Sequence, residues 1–164
     1  MSTQRVEERP AVPMPQRVRI VAVGMIGPPV ITLSVWWITS SWSDLPAQIP
    51  SHWSGGKADS FLSPEAVINA WSLGCLIAAL AAISVTSGAA LGWRWSGLGR
   101  MASAAGVGAT GAVAAGLYVQ LLVSRGMATE YVVELGAAPG IISVMGGFVC
   151  FSVVALLALP KGQQ

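Results

Sequence analysis

Residues 101–124, MASAAGVGATGAVAAGLYVQLLVS, contain no Lys, Arg, Asp, Glu or His. A helix needs roughly 20 mostly apolar residues to cross a hydrocarbon core of about 30 Å, and this run is long enough. Within it, Ala104, Gly108, Ala112 and Gly116 recur at i, i+4 spacing. In a helix that spacing stacks the small residues on one face. Lipid gives no reason to prefer such residues, whereas the close approach of a second helix does. The stretch predicts a spanning helix at the centre of a bundle.

Three further stretches are equally free of charge: Val21–Ser43, Ala66–Trp93 and Leu135–Pro160. Only 10% of the 164 residues are charged, against about 25% in a soluble domain. The expected fold is an all-α membrane protein, with four transmembrane helices in an up-down bundle and an external loop between helices 1 and 2. The expected division is a disordered cytoplasmic tail over 1–17, a membrane domain over 18–160 containing the loop 41–64, and a short cytoplasmic tail over 161–164. The first apolar run is too long for a signal peptide and no small-residue cleavage site follows it, so it is expected to stay attached.

Inside the first span, from about Arg19 to Ser40, Pro28 and Pro29 remove backbone donors and predict a kink or local unwinding. Trp36, Trp37 and Trp42 mark one membrane interface, and Trp93 and Trp95 the other. The second span opens at Ser63-Pro64-Glu65, an N-cap followed by proline and an acid. It carries its own small-residue face, Gly74, Ala78 and Ala82. The third span is expected over Met101–Val123 and the fourth over Pro139–Leu159. The segment 124–138 reads as a short strand or an interfacial turn.

The distribution of charge sets a topology. Arg5, Arg9, Arg17, Arg19, Arg94, Arg100 and Lys161 fall on one set of segments, and only Lys57 and Arg125 on the other. The positive-inside rule then puts both termini in the cytoplasm of a multi-pass cell-membrane protein. The basic tail is interrupted by Glu7 and Glu8 and is read as fixing topology, with no nucleic acid as partner. Cys75 and Cys150 lie mid-span, with no metal-ligand spacing and no disulfide framework. No ionisable group lies within any span, which argues against proton relays, ion-coupled transport and intramembrane hydrolysis. Thr32, Ser84, Thr86, Thr110 and Ser152 are read as bonding to the helix backbone or across helices. The chain is therefore read as non-enzymatic, with no cofactor and no metal, and with the bilayer, other membrane subunits or a second copy as partners.

The loop is the segment with specific demands. It reads LPAQIPSHWSGGKAD over residues 45–59. Pro46 and Pro50 stiffen it, and Gly55-Gly56 permits a tight turn. Such a turn could return Asp59 to His52, the only histidine, with Trp53 dipping into the interface. The pair could orient a ligand, bind a metal or respond to pH; alternatively it is a latch that holds the loop's shape. One His and one acid make a poor metal site. Asn69, Tyr118 and Gln120 lie near the same end of their spans and are candidates to line a vestibule beneath the loop.

Leu45-Pro46, Ile49-Pro50, His52-Trp53, the glycine pair and Asp59 resemble the LP-x-x-IP-x-HW…G…D signature of a bacterial membrane family. That family is defined by a domain of unknown function and is best known from the SdpI-type immunity proteins. The resemblance covers residues 18–91, while the further spans of the immunity proteins have no counterpart beyond residue 100. It implies recognition of a peptide or lipid at the outer face of the membrane. A structural or assembly subunit of a larger membrane complex is the alternative; a small transporter or channel is disfavoured by the apolar cores.

Overall fold

The computed structural model describes residues 12–54, 57–91, 95–132, 134 and 136–163. Four helices are long and apolar enough to cross a bilayer: α1 (Met14–Ser40), α2 (Pro64–Ala90), α3 (Gly97–Ser124) and α5 (Ala138–Ala158). Between α1 and α2 the chain forms a two-stranded antiparallel hairpin, β1 (Ile49–Ser54) and β2 (Lys57–Leu62). The segment left open as strand or turn contains a single helical turn, α4 (Thr129–Val132).

Helix α1 starts at Met14, inside the stretch expected to be tail. The reason is local: Pro15 falls in the first turn, where its missing N–H costs nothing. Arg17 Nε donates to the Val12 carbonyl at 2.7 Å and closes the entry. The disturbance predicted at Pro28 and Pro29 is a widened segment, Val21–Ile26, in π-helical geometry. A proline ring clashes with the carbonyl four residues back, and the wider turn moves that carbonyl aside. Gly27 N–H accordingly reaches back five residues to the Ala22 carbonyl.

Helix α3 is the core of the bundle. More than half of its apolar window is buried, against little over a quarter for α1 and α2 and almost none for α5. It packs against α1, α2 and α5, while α5 reaches the rest chiefly through α3. Ala104, Gly108, Ala112 and Gly116 are all buried. A Cβ on Gly108 would collide with Ser152 and with the Phe148 carbonyl, and one on Gly116 would meet Trp71 and Val144 at 2.6 and 2.7 Å. Gly106, Gly111 and Gly147 are equally hemmed in, by Ala82, Phe151 and Ala115 respectively. On α2 the inward face runs through Cys75, Ala79, Ala82 and Thr86, with Gly74 and Ala78 half-buried on its border.

Most hydroxyls in the spans bond to the carbonyl four residues back: Thr32 to Pro28, Ser84 to Leu80, Thr86 to Ala82 and Thr110 to Gly106. Ser152 Oγ is buried without such a partner among the described residues.

Trp95 departs from expectation. Interfacial indoles are half wet, yet Trp95 is buried, 1% exposed, and its indole N–H donates to the Pro160 carbonyl at 2.9 Å. The cause is the C-terminal segment, which folds back over it: Gln163 N–H bonds the Trp95 carbonyl at 2.7 Å. Arg100 from α3 adds a bond to the Leu156 carbonyl. Trp93 and Arg94 lie outside the described residues. At the opposite end, Trp36 and Trp37 are exposed as an interfacial belt requires.

Candidate functional site: the hairpin end

The hairpin forms where the loop's apolar residues find a floor. Ile49 and Pro50 on β1 and Ala58 on β2 are buried, and Ile49 packs into the cluster of Val35, Val67, Ile68, Leu117 and Leu121. Regular antiparallel pairing joins Ile49 to Leu62 and Pro50 to Phe61, then shifts, with His52 opposite Ser60 and Trp53 opposite Ala58. The two shifts cancel: Ser51 is extra on β1 and Asp59 on β2. Bulges of this kind re-aim side chains. Here they leave His52 and Asp59 on the solvent side, where the His52 Nδ1–H donates to Asp59 Oδ1 at 2.6 Å. Both side chains are largely open, at 68% and 43% exposure. Gly55 and Gly56, expected to make the turn between them, lie outside the described residues.

Two attachments hold the hairpin end together. Gln120 on α3 is buried, and its Nε2 donates to the Pro50 carbonyl at 2.6 Å. Trp53 is half-buried beside this bond, over a small cavity bounded by Ser124, Ala137 and Pro139. The second attachment joins the two connecting segments at this end. Arg125 Nε lies 2.9 and 3.0 Å from the Asp44 carboxylate oxygens. Gly126, the only described residue with positive φ (68°), donates its N–H to the Asp44 carbonyl at 2.9 Å. The Arg125 guanidinium lies 4.6 Å from the centre of the Trp42 ring, and Tyr118 packs tilted against that ring at 5.4 Å.

The residues grouped at this end by sequence thus divide. Gln120 holds the hairpin, Tyr118 supports Trp42, and Asn69 lines a separate crevice between α1 and α2. Pro46 begins the approach to β1 and is buried. The Asp44–Arg125 pair was missed as a contact, being 81 residues apart in the chain. Its only signal was two opposite charges on segments assigned to the same side. Among the described residues no group of three His, Cys, Asp or Glu side chains converges on a point that could hold a metal ion.

These features define a small four-span membrane protein with a structured hairpin at one end of the bundle. No protein-family model matches the chain, and no curated protein or solved structure is detectably similar to it.

Proposed function

We propose that this chain is a non-enzymatic protein of the bacterial cell membrane that recognises a peptide or lipid with its hairpin at the outer face, in the manner of the immunity proteins its loop resembles. The observation that carries the reading is the hairpin's two-sidedness. Its inner side is fixed by a buried hydrogen bond from Gln120 to Pro50, while its outer side presents the exposed His52–Asp59 pair. A surface held rigid before binding loses less entropy when it binds. The charge bias toward segments at the opposite end supports cytoplasmic termini and an outward hairpin. The apolar cores of the spans weigh against catalysis or ion transport within the membrane.

The test is photocrosslinking in cells. A photoreactive amino acid at Lys57 or Ser60 on β2, compared with one at Leu157 on α5, should yield a discrete adduct only from the hairpin positions. That adduct should disappear with His52→Ala while protein levels in the membrane hold. Adducts identical at all positions, or none from the hairpin, would remove the reading. A second reading, an assembly subunit, is favoured by α5, whose span buries only Gly147 and Ala155. It predicts a protein adduct from Leu157 instead.

A further inference from the structure

We propose that the crevice between the end of α1 and the start of α2 binds the primary ammonium of an aminophospholipid headgroup. This goes beyond the reading of the hairpin and does not depend on it. The crevice has a volume of about 390 Å³, at the small end of the roughly 300–1,000 Å³ typical of small-ligand sites. Its walls include Trp36, Ser40, Trp42, Ser43, Glu65 and Asn69.

Three features point to an ammonium. Glu65 is the only charged residue lining the crevice. It lies one helical turn from Asn69, on the same face of α2. Among the described residues, no ion pair or side-chain hydrogen bond engages either group. A carboxylate in the first turn of a helix is favoured by the helix dipole alone. The dipole does not explain why an amide one turn later and two indole rings meet at the same space. Indole rings beside a carboxylate attract cations; the Trp42 ring already holds the Arg125 guanidinium, which leaves Trp36, exposed at the crevice, as the ring open to a further cation.

The depth of the crevice identifies the source. Trp36 and Glu65 stand where two apolar spans end, which is the headgroup layer, and Trp36 and Trp37 are exposed there. A molecule entering from this layer carries its ammonium on a lipid. Glu65 would repel an anionic headgroup that lacks one, which supplies discrimination.

Native mass spectrometry of the purified full chain tests this. The protein is incubated with equimolar dioleoyl phosphatidylethanolamine and dioleoyl phosphatidylglycerol in detergent. One phosphatidylethanolamine should be retained in preference by about tenfold, as expected for a cation–π contact and a carboxylate contact acting together. Glu65→Gln and Trp36→Leu should each reduce the preference to about twofold or less, while Glu134→Gln, an exposed acid elsewhere, should keep it. Two separate variants guard against a folding defect in either. Equal retention of both lipids by the unaltered chain, or a preference that survives both variants, overturns the proposal. Free phosphoethanolamine that displaces the lipid at comparable concentration would assign the site to a soluble amine and overturn the lipid assignment.

Discussion

Replacing Gln120 with Leu isolates what holds the hairpin. The two side chains are similar in size, so the buried position stays filled and the change is mainly the loss of the donor. The Pro50 carbonyl, now bonded at 2.6 Å beneath the hairpin, would then be buried without a partner. That costs about 1–3 kcal/mol, and the carbonyl recovers water only if the hairpin lifts. The population of the lifted state should therefore rise by about 5- to 150-fold. Hydrogen exchange in lipid nanodiscs reads this directly. Amides of β1 and β2 should exchange faster by that factor, while those in the middle of α3 should not change. The Arg125–Asp44 pair provides the comparison. Its side chains are 37% and 45% exposed, and exposed pairs contribute about 0–1 kcal/mol. Asp44→Asn should accelerate hairpin exchange by no more than about fivefold. If Gln120→Leu leaves β1 and β2 protected, or lowers protection across the whole bundle alike, the buried bond is not the anchor.

Glycine substitutions should separate packed from open positions: Gly108→Ala, which meets Ser152 and the Phe148 carbonyl, should destabilise by about 1–3 kcal/mol. Gly146→Ala, with nothing within 4 Å, should be neutral or stabilising by up to about 1 kcal/mol; melting in detergent compares them, and equal effects would disprove the close α3–α5 contact. For orientation, a cysteine at Ser60 in a chain lacking Cys75 and Cys150 should react with an impermeant thiol reagent on intact cells, and one at Leu98 should not. The reverse pattern would put the hairpin in the cytoplasm. His52→Ala and Asp59→Asn should have similar, non-additive effects on protease cleavage of the hairpin, because each breaks one shared contact; additive effects would mean that the two side chains act separately.

The spans were legible because bilayer solvation acts on whole runs of sequence. Four charge-free stretches are enough to predict four helices, and the i, i+4 alignment of Ala104, Gly108, Ala112 and Gly116 to predict which one is central. The same alignment overlooks Gly106 and Gly111, since a helix surrounded on several sides has several packing faces and one stripe describes one of them. Pro28 and Pro29 predict a disturbance but not its form, which depends on how the preceding carbonyls are displaced. The hairpin's strands are hidden in the sequence because they contain Pro50 and two bulges, and bulges break the alternation by which strands are recognised. The burial of Trp95 could not be seen at all from local sequence, since what covers it is Pro160 at the other end of the membrane domain.

The two ends of the bundle are built differently. At the tail end groups are used against one another: Trp95 against Pro160, Gln163 against Trp95, Arg17 against Val12. These contacts close that end with backbone carbonyls. At the hairpin end, the buried contacts through Gln120 and the Trp42–Tyr118 cluster hold a frame, and polar side chains stand outside it. His52 and Asp59 face solvent and bond each other, while Glu65 and Asn69 face a crevice. An exposed polar contact of this kind adds little stability. Polar groups that are positioned by their backbone yet contribute little to folding can change partners without unfolding their support. The hairpin end meets that requirement, through a held backbone and replaceable side-chain contacts.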